Sequence, residues 1–165
     1  MATTTDKIAY ATSTAITCTM ASLAASATAG RSCAAVDNTT NLYDDAMLTI
    51  GVKTSASTLG GNKVCNLYFF GSEDGTLFDG SSVEAVGTNI AVTFDSPSNL
   101  KGPFVLNCTA VSTTYKATIG SVAAFFGGIL PRKWGFVVQN DTGQALDATE
   151  GNHTKSYSGI TFTNS

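Results

Sequence analysis

Short runs in which apolar and polar residues alternate one by one recur along most of this chain. A period of two places every second side chain on one face, so each run is predicted to form a half-buried β-strand. Such runs occupy residues 16–20, 48–52, 90–94, 104–108 and 134–138, and a last strand is predicted at Ile160 and Phe162. Residues 64–70 are apolar on both faces, which predicts a central strand or one that a neighbouring subunit covers.

Turn-forming residues separate these runs. The dipeptides Asp74-Gly75 and Asp79-Gly80 tolerate the positive φ angles that chain reversals require. Helical windows are scarce, and only residues 121–126, followed by Gly127 and Gly128, predict a short turn of helix. About seven to nine short strands predict an all-β fold, an antiparallel β-sandwich of jelly-roll or immunoglobulin-like topology with at most one short helix.

The length and composition suit a single domain with an uncharged surface. The 165 residues are enough for one domain, which we place at residues 7–165, behind a flexible N-terminal arm at residues 1–6. Charged residues make up only 13% of the chain and hydrophobic residues 43%, so hydroxyl and amide groups must cover much of the surface. Such a surface suits extensive contact with neighbouring protein.

Charge and hydropathy argue against two kinds of partner. The formal net charge is -3 and the nine Lys and Arg residues are scattered, which does not predict a groove for nucleic acid. The longest apolar stretch, residues 122–130, is too short to span a membrane and contains two glycines. We therefore expect neither a nucleic-acid nor a membrane partner.

The residues with metal-binding or redox chemistry are dispersed. Four cysteines without a C-x-x-C pair or a histidine cluster are predicted to be free, buried thiols rather than zinc ligands. They are Cys18, Cys33, Cys65 and Cys108. The acidic stretch from Glu73 to Glu84 lacks the spacing of a calcium loop, and no metal site is predicted.

Catalytic signatures are missing from the sequence. His153 is the only histidine, and its Gly-Asn-His-Thr context predicts an exposed loop residue rather than a general base. The sequence contains no nucleophile elbow, phosphate-binding loop, dinucleotide fingerprint or zinc-protease motif. We therefore predict no enzymatic activity, no catalytic residue and no cofactor.

Sugar binding is an alternative that the aromatic residues leave open, because aromatic faces stack well on sugar rings. Trp134 lies in phase with the apolar positions of its run, which predicts a core residue. Tyr43, Tyr115 and Tyr157 lie in polar surroundings and are the better candidates for exposed contact. A carbohydrate-binding β-sandwich module is therefore kept as an alternative.

Three stretches together resemble small virion structural proteins of tailed bacteriophages. They are AAVDNTTNLYDDA at residues 34–46, VCNLYFFGSEDG at residues 64–75, and GGILPRKWG at residues 127–135, which continues to residue 143. Their order is similar to that in phage β-sandwich proteins that decorate heads or sit in tails. The resemblance covers most of the chain beyond the N-terminal arm.

The resemblance implies a non-enzymatic capsid decoration or cement protein, which binds the outer capsid surface and stabilises the head by bridging capsid subunits. It also implies the major capsid protein as partner, self-association as a homotrimer, and a place on the capsid surface of virions assembled in the host cytoplasm. The alternative within this class is a tail- or fibre-associated virion protein. The short chain without coiled-coil heptads favours head decoration.

Two segments are candidate contacts with such partners. The arm residues Ala2, Thr3, Thr4 and Thr5 would add to an exposed sheet edge on the capsid. Arg132 and Lys133, the only adjacent basic pair, would meet an acidic neighbour. The competing interpretations are a disordered tail and a solvated loop.

Overall fold

The computed structural model describes residues 6–82, 84–96 and 98–164. In these residues eleven strands form two antiparallel sheets, and the helical structure is limited to two 3-10 helices, Ala123–Phe126 and Glu150–Asn152. The architecture is that of a β-sandwich, so the predicted all-β fold class is confirmed. The first 3-10 helix lies where a short turn of helix was predicted, and Gly127 ends it with a φ of 77°.

The first sheet joins the two ends of the chain. In spatial order it contains β1 (Asp6–Tyr10), β11 (Thr154–Asn164), β5 (Asp45–Lys53) and β9 (Thr114–Ile119), and β2 (Thr14–Ala15) also pairs with β11. The partner of Thr154 is Gly51 and that of Ile160 is Asp45, so β5 accompanies β11 only as far as Ile160. Beyond that point, β11 pairs with β1.

The second sheet is built around two long central strands. Its strands are β7 (Ala91–Thr93), β3 (Ala29–Ser32), β10 (Lys133–Asp141), β6 (Val64–Ser72) and β8 (Lys101–Asn107), and β4 (Val36–Asp37) also pairs with β10. The register of β6 and β10 runs from Val64 opposite Asp141 to Ser72 opposite Lys133. These two strands place the largest aromatic side chains in the core.

The core between the sheets is formed by most of the alternating positions that the sequence indicates. Ile90 is an exception, because it is 40% exposed and β7 begins only after it. Leu48, Ile50 and Val52 on β5 are fully buried, as are Trp134 and Phe136 on β10. The Trp134 ring meets the Tyr157 ring of the other sheet edge-on, with centroids 5.5 Å apart. The prediction that Trp134 is a core residue is therefore confirmed.

The outer face of the second sheet is covered by the chain itself. Phe70 on β6 packs edge-on against Phe78, with ring centroids 5.6 Å apart. Tyr68 packs against Phe94 with centroids 5.0 Å apart. Both partners belong to the long segment between β6 and β8, so β6 is a central strand that needs no neighbouring subunit to cover it.

Residues 16–20 show the predicted burial without the predicted strand. Ile16, Cys18 and Met20 are buried while the residues between them are exposed. The Ile16 N–H still donates to the Lys155 carbonyl of β11 at 2.8 Å, but further along the acceptors are side chains. Asn89 accepts from the Thr19 N–H at 2.9 Å, and one oxygen of Glu150 accepts from Met20 and Ala21 at 2.8 and 2.7 Å. Alternation predicts which side chains are buried, but a side-chain acceptor has replaced the neighbouring strand.

The prediction of an exposed His153 is wrong. The residue is 5% exposed, its Nδ1 accepts a hydrogen bond from the Lys53 N–H at 3.2 Å, and its Nε2 lies 3.0 Å from the Asp147 carbonyl oxygen. The ring therefore fills a gap between β5 and the loop before β11. Its two ring nitrogens are engaged by backbone groups, which is a structural use of histidine.

The prediction for the cysteines is confirmed, because all four are free and buried. Burial raises the pKa of the Cys18 thiol to about 12 and raises that of Cys33 further. These two thiols therefore behave as small apolar core groups at neutral pH.

Candidate functional site

An apolar groove of about 640 Å³ opens at one end of the sandwich. Its walls are the end of β6, the first 3-10 helix and the loop that leads into β10. Phe125 and Phe126 are partly buried at its base, and Ile129 is 77% exposed at its edge. Because large apolar side chains in water are unfavourable, this groove is a candidate binding surface.

The groove is shaped by a glycine and by an aspartate. A Cβ at Gly71 would lie 2.7 Å from Pro131 and 2.9 Å from Phe126, so only a residue without a side chain lets these two groups close over β6. One Asp45 oxygen accepts hydrogen bonds from the Ala46 and Ala123 N–H groups at 2.7 and 2.8 Å. Asp45 therefore binds the 3-10 helix that carries Phe125 and Phe126 to the beginning of strand β5.

The rim of the groove carries charges of both signs. Lys101 and Asp79 form an ion pair at 3.7 Å, and Asp79 also accepts from the Gly71 N–H at 3.0 Å. Glu73 and Arg132 are exposed on the rim. Within the described residues these two side chains form no ion pair, so they remain available to a partner.

The loop beside the rim is held by hydrogen bonds. One Asp74 oxygen accepts from the Leu77 and Thr76 N–H groups at 2.8 and 2.7 Å, and from the Ser72 hydroxyl at 3.0 Å. These bonds, with those of Leu77 and Thr76 foremost, hold the pKa of Asp74 well below its ordinary value. Asp74 is therefore a charged turn residue and not a proton donor near neutral pH.

A two-stranded ribbon is the second exposed apolar feature. It consists of β1 and of residues 160–164 of β11, which extend past the start of β5. Ile8 lies directly opposite Phe162, and Tyr10 lies two residues further along the same face. These three side chains are 56%, 58% and 59% exposed in that order, and β1 forms an edge of its sheet.

The ribbon and the groove lie at the same end of the molecule. Ile160, where the ribbon leaves the sheet, is opposite Asp45. The same Asp45 carboxylate binds the helix at the base of the groove. Both exposed apolar features therefore adjoin the start of β5.

The structure places the predicted contact residues in different surroundings. Arg132 lies on the groove rim, whereas Lys133 is turned towards Asp37, with an ion-pair distance of 3.9 Å. The two adjacent cations therefore do not act as one patch. Ala2, Thr3, Thr4 and Thr5 lie outside the described residues, and β1 begins at Asp6, the last residue of the predicted arm.

The tyrosines predicted to be available for contact are engaged within the chain instead. The Tyr43 ring lies against Gly159, and the Tyr157 ring packs on Trp134. The Tyr115 hydroxyl accepts a hydrogen bond from the Ala110 N–H at 2.6 Å. Each ring is half-buried, so these side chains do not form an exposed aromatic platform.

The described residues contain no group of three or more His, Cys, Asp or Glu side chains placed to hold a metal ion. The buried Glu84 accepts from the Asp95 and Ser81 N–H groups at 3.1 and 3.3 Å, which is a loop-holding role. In the same part of the chain, no helix has the length and hydropathy needed to cross a membrane. Comparison with protein-family models, curated proteins and solved structures found no match.

Sequence reasoning missed most of the groove and, in the ribbon, strand β1 and the exposure of Phe162. The apolar run that contains Phe125, Phe126 and Ile129 is visible in the sequence, but it predicts a helix and a turn without showing that its side chains face solvent. For the ribbon, the spacing of Ile8 and Tyr10 was a period-two signal. It lies in a segment too short to predict a strand until Phe162 is known to be its partner.

Proposed function

We propose that this chain is a non-enzymatic structural protein of a virion, and that it acts as a capsid decoration protein. The observation that carries the proposal is the projecting ribbon, in which Ile8, Tyr10 and Phe162 are all more than half exposed. A two-stranded ribbon is marginally stable alone in water, and an exposed apolar face of this kind is typical of a surface that another protein covers.

The composition supports an assembly role in a second way. With 13% charged residues, the chain has little of the charge repulsion that keeps monomeric proteins apart. Many weak contacts, repeated over a symmetric shell, would together hold such a protein firmly. The resemblance of residues 34–46, 64–75 and 127–143 to phage virion proteins supports the outer capsid surface as the place and the major capsid protein as the partner.

Quantitative mass spectrometry of purified virions tests the proposal, with the major capsid protein as the internal reference. A ratio to that protein near one, or near a simple fraction such as one third, is expected for a decoration protein. A handful of copies per particle would instead support the alternative of a tail- or fibre-associated protein. Absence from virions would contradict both.

Carbohydrate binding is a second candidate, and one cavity favours it. Tyr68, Phe94, Asp95 and Gln139 line a cavity of about 240 Å³ on the outer face of the second sheet. It combines two aromatic rings with polar groups, as sugar sites do. A glycan array tests this candidate, with the Tyr68→Ala variant as control. A glycan that binds the wild type but not the variant would support it.

A further inference from the structure

We propose that the β1–β11 ribbon of one copy docks into the apolar groove of a second copy, so that the chain associates with itself head to tail. This inference rests on the proposed assembly role, which it deepens by naming the two surfaces that meet. The ribbon extends past the start of β5 and presents Ile8, Tyr10 and Phe162, whereas the groove is lined by Phe126, Ile129 and Pro131.

The charges that border the two surfaces are complementary. Asp44 is exposed beside the ribbon, and Glu73 and Arg132 are exposed on the groove rim. Lys7 lies one residue from Ile8, so its side chain points to the other face of the ribbon. The Phe162 N–H donates to Asp44 at 2.7 Å, which holds this carboxylate against the ribbon. An anion beside the ribbon and a cation on the groove rim allow Asp44 to meet Arg132 when the two surfaces dock, so that these two charges are paired.

The position of both surfaces at one end of the sandwich favours a small closed assembly. In a head-to-tail contact the two surfaces differ, and the chain closes into a ring when the rotation between neighbours permits it. Because ribbon and groove lie side by side around the start of β5, a few copies arranged around one axis would satisfy every ribbon and every groove. A homotrimer is one such ring.

Two single substitutions separate the surfaces. Phe162→Asp removes the centre of the ribbon, and Ile129→Asp places a charge at the edge of the groove. Both side chains are mostly exposed, so the fold is expected to survive. Val111→Asp is the matched control, because Val111 is 42% exposed and lies in the β8–β9 turn at the opposite end of the sandwich.

Analytical ultracentrifugation of the purified chain, without capsids, gives the mass of each variant and its dissociation constant. We expect the wild type and Val111→Asp to self-associate. Phe162→Asp and Ile129→Asp are each expected to weaken association by at least about 10-fold, as loss of a central interface residue does. Circular dichroism of each variant verifies that the fold is retained.

The decisive step is to mix the two defective variants in equal amounts. Ile129→Asp retains an intact ribbon and Phe162→Asp retains an intact groove, so the mixture is expected to form a two-chain species that neither variant forms alone. A monomeric wild type at the highest concentration reached would overturn the inference. So would full association of Ile129→Asp, which would mean that ribbons meet ribbons. Because capsids are absent, these failures are distinguishable from failure of the virion assignment.

Discussion

Gly159 shows how one missing side chain fixes the packing of a loop on a strand. It lies in β11, and the face of the Tyr43 ring occupies the space where a Cβ would be. Tyr43 was predicted to be available for exposed contact, but its ring packs on the backbone of Gly159 instead. No residue other than glycine leaves that surface bare.

We predict that Gly159→Ala destabilises the protein by about 1–3 kcal/mol, since the new methyl group must displace the Tyr43 ring. The matched control is Gly120→Ala, because a Cβ at Gly120 would meet nothing within 4 Å. Urea unfolding of both variants measures the change. Equal stability of the two variants would show that the ring moves aside without cost.

Asp147 links the acid stability of the protein to one carboxylate. Hydrogen bonds from the Asn152 side chain and the Thr149 N–H, helped by Lys53 at 3.4 Å, lower its pKa from 3.8 to about 2. The ionised form therefore stabilises the folded state at and above pH 4. This contribution is lost as the pH falls from about 4 towards 2.

The expected result for Asp147→Asn is a lower melting temperature than wild type at pH 7, with a difference that shrinks as the pH falls from 4 to 2. Melting curves at half-unit pH steps measure it. Glu73→Gln is the control, because Glu73 is exposed and accepts no hydrogen bond among the described residues. A constant difference across the range would show that Asp147 has no role in acid unfolding.

At the scale of elements, the attachment of the first 3-10 helix to β5 depends on Asp45. Its carboxylate accepts two backbone N–H groups, one from Ala46 within the strand and one from Ala123 in the helix. Asp45 is buried, so neither donor has ready access to water if the carboxylate is removed. The helix would then lose one of its ties to β5, beside the bond from the Val122 N–H to the Ala46 carbonyl at 2.9 Å.

We predict that Asp45→Ala costs about 1–3 kcal/mol of stability, the range for buried donors left without an acceptor. Asp37→Ala, at an exposed carboxylate, is expected to cost less than Asp45→Ala. Chemical denaturation followed by Trp134 fluorescence compares the two. If the inferred self-association is correct, Asp45→Ala also weakens it, because the base of the groove is no longer held.

The elements that sequence could predict are those whose pattern is local. Alternation identified β5 and β10, because every second residue of a strand lies on the same face. A run that is apolar on both faces identified β6 as a central strand. Residues 16–20 show the limit, since the acceptors that replace a neighbouring strand there include Glu150, far along the chain. The partner of a backbone group is a property of the fold and not of the segment.

The candidate site was less predictable for the same reason. Arg132 was identified by its charge, but only the fold shows that it borders a groove while Lys133 is turned to Asp37. Phe162 was predicted to lie in a strand, yet its exposure depends on β5 beginning only at Asp45, opposite Ile160. Sequence patterns indicate which side chains are apolar, whereas exposure depends on where distant strands stop.

At the scale of the whole molecule, the pairing of β1 with β11 means that the fold closes only when the two ends of the chain meet. Contacts this distant along the chain are formed late and slowly during folding. The two sheets share one core, so the buried groups of both should become accessible together. The four cysteines provide a means to observe this, because they are spread over the core.

We predict that the four thiols react with Ellman's reagent only when the whole domain unfolds. Cys33, Cys65 and Cys108 are fully buried and Cys18 is 3% exposed, so the reagent does not reach their sulfur atoms in the folded state. In native buffer the labelling should be at least about 1000-fold slower than in denaturant, with one rate for all four cysteines. Mass spectrometry of partly labelled protein measures it, with fully denatured protein as control. Molecules that carry one or two labels would contradict a single cooperative unit. If Cys18 alone reacted early, it would show that residues 16–20, which lack a strand ladder, open before the sheets separate.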